Sequence, residues 1–161
     1  MKMAKKLLAV ILAGVLALSV LTGCGGAVST KAIAEAMSDV SKEEGVVYQA
    51  DPKLNEKARQ IAEMISSAAM QEGETDIYDK IMGIMGDDYV GKYVWIAETT
   101  TEGGNVTAQA RNLLEDVDEY SNINSAVADG TSPAKVRSIG TVPITENGVD
   151  YLFAVITADA V

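Results

Sequence analysis

Apolar positions in this sequence recur with the helical period through most of its length and with the two-residue period of strands near its end, and each change of period marks an element boundary. Leu7 to Val20 is an uncharged, almost wholly apolar run. From Ser29 or Thr30, either of which can cap a helix, Ile33, Ala36, Met37 and Val40 return at helical spacing, and Gly45 offers a left-handed stop. Val46-Val47-Tyr48 reads as a short extended link. Asp51-Pro52 then opens the clearest helix. Asp51 is its N-cap, Pro52 takes the first helical position, and Leu54, Ala58, Ile61, Ala62 and Ile65 form one apolar face. Glu56, Lys57, Arg59 and Glu63 line the other face. Gly73 closes this helix, and Thr75 opens a third, with Ile77, Ile81, Ile84 and Met85 inward and an end near Gly86. Met64, Met70, Met82 and Met85 fall in or near these faces, where they serve as core.

Tyr93-Val94-Trp95-Ile96-Ala97 is β-rich and apolar at both parities, which predicts a strand covered on two faces. A polar loop, Thr99 to Gly104, leads to Asn105, the cap of a fourth helix whose face is Val106, Ala110, Leu113, Leu114 and Val117. Ser121 to Gly130 is looser, with one helical turn expected at Ile123 to Ala128. The end of the chain predicts a hairpin, Val136–Ile144 and Val149–Thr157, turned at Asn147-Gly148, because both residues tolerate positive φ. Pro143 cannot donate to a ladder, so its part of the strand belongs at an edge or a bulge. Both parities of the last strand are apolar. The pattern therefore predicts an α+β protein, an α-β-α sandwich with a three-stranded antiparallel sheet covered by helices on both faces.

Charge changes the reading of the first apolar run. Lys2, Lys5 and Lys6 precede it and small residues follow it, as in an export signal, and it is short for a permanent membrane helix, which needs about 20 apolar residues. Leu21-Thr22-Gly23-Cys24 resembles the lipobox of bacterial prolipoproteins, in which the signal is cut before a cysteine whose thiol carries lipid. That resemblance implies a signal peptide over residues 1–23, lipidation of Cys24, a tether over 24–30 and one domain over 31–161. It also implies a bacterial protein held to the extracytoplasmic face of the cell membrane. Cys24 is the only cysteine, so no disulfide framework competes for it. Two or three acyl chains, at about 0.8 kcal/mol per buried methylene, make a stable anchor. The part after residue 23 has ten Lys and Arg against twenty-three acidic residues, a net charge of −13. Nucleic acid is a poor partner for such a surface.

Chemistry is bounded by what is missing. The chain has no histidine, which closes Ser-His and Cys-His designs and imidazole ligation of zinc. No glycine cluster is followed by Gly-Lys-Ser/Thr, so there is no phosphate loop. No cofactor is implied. Acidic pairs remain at Asp87-Asp88, Glu115-Asp116 and Asp118-Glu119, with Glu98 after the strand. Paired carboxylates can run acid–base chemistry only if they meet across a cleft. Asp116 to Asn122 offers alternating oxygen ligands but lacks the glycine and closing glutamate of a calcium loop, so no metal site is assigned. Tyr48, Tyr78, Tyr89, Tyr93 and Tyr120 exceed the needs of a small core and read as candidates for a binding surface.

Asp51-Pro52-Lys53-Leu54 through Met64, preceded by Ala32 to Tyr48, resembles the opening helices of the cysteine-rich secretory protein superfamily, the CAP or SCP-like domains. Arg137-Ser138-Ile139-Gly140-Thr141-Val142, then Asn147-Gly148 and Tyr151 to Val155, resembles that family's closing hairpin. The resemblance implies a cleft that in the family can hold a divalent cation on two histidines and two glutamates. Here Ser121-Asn122-Ile123-Asn124 stands where a serine and a histidine would be, and Val94-Trp95-Ile96-Ala97 stands where a glutamate would be. The expected cleft residues are Tyr93, Trp95, Glu98, Tyr120, Ser121 and Asn124. The expected function is a membrane-anchored binding or accessory module without catalysis. Its partners would be the membrane, through lipid on Cys24, and a peptide, glycan or envelope protein. The alternative is a carboxylate-based hydrolase or divalent-cation-dependent enzyme using the same cleft, and a third reading is a structural lipoprotein with another small α+β fold.

Overall fold

In the computed structural model, residues 28–68, 74–102, 104–119 and 122–161 are described; Cys24, Tyr120 and Ser121 lie outside this set. Helix α1 (Thr30–Val40) starts where the Ser29 hydroxyl accepts from the amide of Ala32 at 3.2 Å, and ends at Ser41. A 3₁₀ turn over Lys42–Glu44 and a left-handed Gly45, φ 69°, redirect the chain into β1 (Val47–Ala50). Helix α2 (Pro52–Ala68) is capped as its sequence predicts, with Asp51 Oδ1 accepting from the amide of Lys53 at 2.9 Å. Then follow α3 (Glu74–Met85), a 3₁₀ turn over Asp87–Tyr89, and β2 (Tyr93–Thr100). Helix α4 (Val106–Glu119) opens with Asn105 Oδ1 accepting from the amide of Ala108 at 2.9 Å. The hairpin is β3 (Pro133–Glu146) and β4 (Val149–Ala160), joined by Asn147 and Gly148 at φ 51° and 79°. No helix among the described residues is long and apolar enough to cross a membrane.

The sheet corrects one expectation. It has four strands in the order β1-β3-β4-β2 and is mixed, not three-stranded and antiparallel. Strands β3, β4 and β2 form the antiparallel part, and β1 adds to it parallel to β3, from Val47 opposite Val136 to Ala50 opposite Ile139. Val46-Val47-Tyr48 was expected as a link because four residues are too few to display a period. Its partner also lies far along the chain, so no hairpin signal marks the pairing. Two smaller differences follow. Thr99 and Thr100, expected in a loop, extend β2 opposite Leu152 and Tyr151, and Ile123 to Ala128 forms turns without a helix.

Alternation along the strands sorts the core into two layers. On one face Trp95, Ala97, Leu152, Ala154 and Ile156 meet Ile33 and Met37 of α1 and Ala110 and Leu113 of α4. On the other, Val94, Ile96, Phe153 and Val155 meet Leu54 and Ile61 of α2 and Ile81 and Met85 of α3. Each fully buried Leu, Ile, Phe or Met stabilises the fold by about 1.5–3 kcal/mol. The sheet is thus covered by helices on both faces, as expected.

Helix α2 approaches β3 more closely than side chains would permit. A Cβ on Gly140 would lie on the carbonyl carbon of Leu54 and the amide nitrogen of Asn55, well inside van der Waals contact. Strand β1 ends opposite Ile139, and beyond that point the free side of β3 is taken over by the start of α2. The amide of Asp51 donates to Ile139 O at 2.9 Å, and the amide of Thr141 donates to Asn55 Oδ1 at 2.9 Å. Thr30, at the start of α1, donates to the same Asn55 oxygen at 3.0 Å and lies 2.7 Å from the Thr141 hydroxyl. Two residues further on the same open side, Pro143 has no N–H to leave unpaired, which is why proline is tolerated there. The outer edge of β1 is blocked as well. The Ser38 hydroxyl accepts from the amide of Tyr48 at 2.8 Å and lies 3.2 Å from its carbonyl, so α1 occupies the groups that another strand would pair with.

Substituting Gly140→Ala should cost about 3 kcal/mol or prevent folding, because backbone has to move. Urea unfolding checks this, and a loss below about 0.5 kcal/mol would contradict the close approach.

Candidate functional site

One rung of hydrogen-bonded register crosses all four strands: Tyr48, Arg137, Ala158 and Tyr93 stand side by side. Their parity is that of Trp95 and Ile139, so this rung faces α1 and α4. Ala158 is small, and over it the Arg137 guanidinium lies between two rings, 5.7 Å from the centroid of Tyr48 and 5.2 Å from that of Trp95. Trp95 in turn stacks on Tyr93 at 5.6 Å with 17° between planes. Arg137 Nη1 donates to the Tyr48 hydroxyl at 3.0 Å, while its Nε is buried and has no partner. Arg137 pairs with no carboxylate among the described residues.

A cavity of about 250 Å³ opens over this cation. Tyr48 and Arg137 lie at its base, and the end of α1 contributes Val40, Ser41 and, from the following turn, Glu44. The opposite wall is one stripe of α4, Arg111, Leu114, Glu115 and Asp118, which share a face at helical spacing. Burial raises the pKa of the Tyr48 phenol; the charge and hydrogen bond of Arg137 oppose this, and Asp118 and Glu44 reinforce it. The phenol therefore stays protonated, accepting from Arg137 and keeping its own proton to donate. The site can hold an anionic group against Arg137 and a cationic one against the acids of the wall.

Of the six residues expected in one cleft, the four that are described, Tyr93, Trp95, Glu98 and Asn124, do not converge. Tyr93 and Trp95 belong to the rung just described, but the Tyr93 hydroxyl is spent on Thr131 O, to which it donates at 2.7 Å. Glu98 has the opposite parity, on the α2 and α3 side of the sheet. Its amide donates to Asp116 Oδ2 at 3.0 Å, across the outer edge of β2. Its carboxyl is pushed up to about 7, first by burial and then by the negative charges of Asp116 and Glu146. Asn124, only 4% exposed, is a brace. Its Nδ2 donates to Tyr89 O at 3.0 Å and Lys92 O at 2.8 Å, and its Oδ1 accepts from the amide of Ala126 at 3.0 Å. Tyr120 and Ser121 fall outside the described residues. No group of three or more acidic or cysteine side chains among the described residues is placed to hold a metal ion.

Comparison with family models, curated proteins and solved structures finds no match. The site therefore stands on its own geometry. Tyr48, expected among the exposed aromatics, is buried, while Arg137, known from the sequence only as part of the hairpin motif, and Arg111 were not among the expected site residues. A signal was present. Arg137 is a cation within an apolar strand of a strongly acidic chain, and Arg111, Leu114, Glu115 and Asp118 form a mixed stripe beside the apolar face of α4.

Asn124→Asp keeps the size but turns a donor toward two carbonyls into an acceptor, and should cost about 3 kcal/mol in urea unfolding; an unchanged midpoint would show that the brace is dispensable. For Glu98 the folded pKa lies above the unfolded value of about 4.3, so the native state binds the extra proton. Its contribution is intact below pH 4, is lost as pH rises to about 7, and is constant above that. Glu98→Gln should therefore gain about 3 kcal/mol at pH 8 and nothing at pH 4. Stability curves for the two proteins that run parallel from pH 4 to pH 8 would contradict this.

Proposed function

We propose that this chain is a lipid-anchored extracytoplasmic binding module of bacteria, with a divergent CAP-like domain, that acts by holding a ligand in the cavity over Arg137 without catalysing a reaction. The observation that carries the reading is the guanidinium itself. It is set between two aromatic rings and, among the described residues, left without a carboxylate partner in a strongly acidic chain. A buried or half-buried cation is normally paired, because leaving it unpaired costs several kcal/mol. A site that forgoes pairing is one that a ligand completes.

Membrane attachment rests on the basic n-region, the apolar run and the cysteine that follows it. Helix α1 begins six residues after Cys24 and spans about 16 Å, with the cavity at its far end. The CAP-like reading draws support from the order of elements, helix, short strand, two helices, strand, helix and hairpin, with helices on both faces of the sheet. On that reading the family's metal site is replaced by Val94, which is fully buried, and by the brace at Asn124. The carboxylate-enzyme reading has one observation in its favour, the Glu98 carboxyl held near 7. Against it, the nearby Asp116 already accepts from the Glu98 amide, and Glu98 is separated by the sheet from the cavity.

Trp95 is the only tryptophan and touches Arg137, so its emission reports the cavity. The full-length protein, extracted from a bacterial membrane fraction, should show a saturable change in emission with some member of a panel of short peptides and cell-wall glycan fragments. Cys24→Ser should move the protein out of the membrane fraction. No response to any member would refute the binding reading, and membrane retention of the Cys24→Ser protein would refute the anchor.

A further inference from the structure

We infer that the ligand of this cavity is a small zwitterion, an amino acid or dipeptide with a free carboxylate and a free ammonium group and an aliphatic side chain. The inference rests on the binding reading above and names its ligand class. It starts from the distribution of charge across the cavity. Arg137 at the base has one Nη engaged by Tyr48 and its plane held by the rings of Tyr48 and Trp95. A guanidinium fixed in this way leaves the free N–H groups of its two terminal nitrogens side by side as a fork in a rigid plane, the geometry that matches a carboxylate. The protonated Tyr48 hydroxyl, on the same side, supplies a further donor to such an oxygen.

The wall argues against other anions and against simple cations. Glu44, Glu115 and Asp118 outnumber Arg111 and Arg137, so the lining as a whole is negative. A phosphate or sulfate brought to Arg137 would stand against three carboxylates, and an amine without an acid would leave Arg137 unpaired. Only a ligand carrying both charges satisfies the base and the rim together. Val40 and Leu114 supply the apolar part of the lining, which suits an aliphatic side chain. At about 250 Å³ the cavity lies at or below the range that accepts drug-sized molecules, which fits one or two amino-acid residues.

The test uses the full-length protein and the dipeptide Ala-Leu, read by Trp95 emission and by isothermal calorimetry. Ala-Leu should bind saturably, and its C-terminal amide and its N-acetyl form should each bind at least tenfold more weakly. Arg137→Lys, which keeps the charge and loses the fork, should also weaken binding at least tenfold. Since Arg137 is packed against two rings, a second variant guards against loss of folding. Asp118→Asn, on the exposed wall of α4, should weaken Ala-Leu several-fold and leave the N-acetyl form unaffected. Equal affinity for Ala-Leu and its amide would overturn the proposal, as would an Asp118→Asn protein that binds Ala-Leu as the wild type does. A response to glycan fragments with none to Ala-Leu would also overturn it while leaving the binding module intact. Silence toward both classes would remove the binding module as well.

Discussion

The first turn of α2 lies directly on the backbone of β3 at Gly140, and the arrangement of the remaining elements follows from that contact. A strand can be approached this closely only where there is no side chain, since any Cβ would occupy the space of the helix backbone. The approach is held on either side of the glycine by hydrogen bonds, Asp51 to Ile139 and Thr141 to Asn55. These bonds satisfy backbone groups that lose their strand partner where β1 stops. Thr30 then ties α1 to the same point, so the beginnings of the two helices that cover opposite faces of the sheet meet around one edge of β3.

The rung that carries the candidate site is a consequence of this arrangement. With α2 anchored at Gly140, β1 runs parallel to β3 in a register that puts Tyr48 beside Arg137. The hairpin register puts Ala158 on the other side of Arg137, and β2 brings Tyr93 next to Ala158. Three large or charged side chains share a rung only because the fourth is alanine. The guanidinium can then lie flat over the sheet instead of reaching into solvent. Helix α4, crossing above, turns toward the cation a mostly exposed and charged stripe, Arg111, Glu115 and Asp118 with the half-buried Leu114 among them. This accounts for an opening here while the rest of that layer is closed by Leu113, Ile33 and Met37.

Much of the fold is legible in the sequence because its signals are local. Asp51-Pro52, Asn105 and Asn147-Gly148 specify their own caps and turn through side-chain chemistry within a few residues, and the structure places each as expected. The burial of both faces of the sheet is likewise written in the double parity of Val94 to Ala97 and Leu152 to Ile156. What escaped depends on pairing at long range. Strand β1 is four residues whose partner is decided by the helices between, and no local pattern distinguishes it from a link. The site escaped for the same reason. Tyr48, Arg137 and Asp118 belong to three elements, and their meeting is a matter of register and crossing angle that composition does not encode. Asn124 illustrates the converse: a polar residue in a loop reads as a site residue until its partners are known, and here all three are backbone groups.

The most direct measurement of this account is native-state hydrogen exchange at the amides of Asp51 and Thr141, which flank Gly140. If α2 and β3 are locked there, both amides open only with global unfolding and show the same free energy as the core of β4. Exchange of these two amides through a local opening, while the β3–β4 ladder remains protected, would contradict it. The layers would then be held by their apolar faces alone.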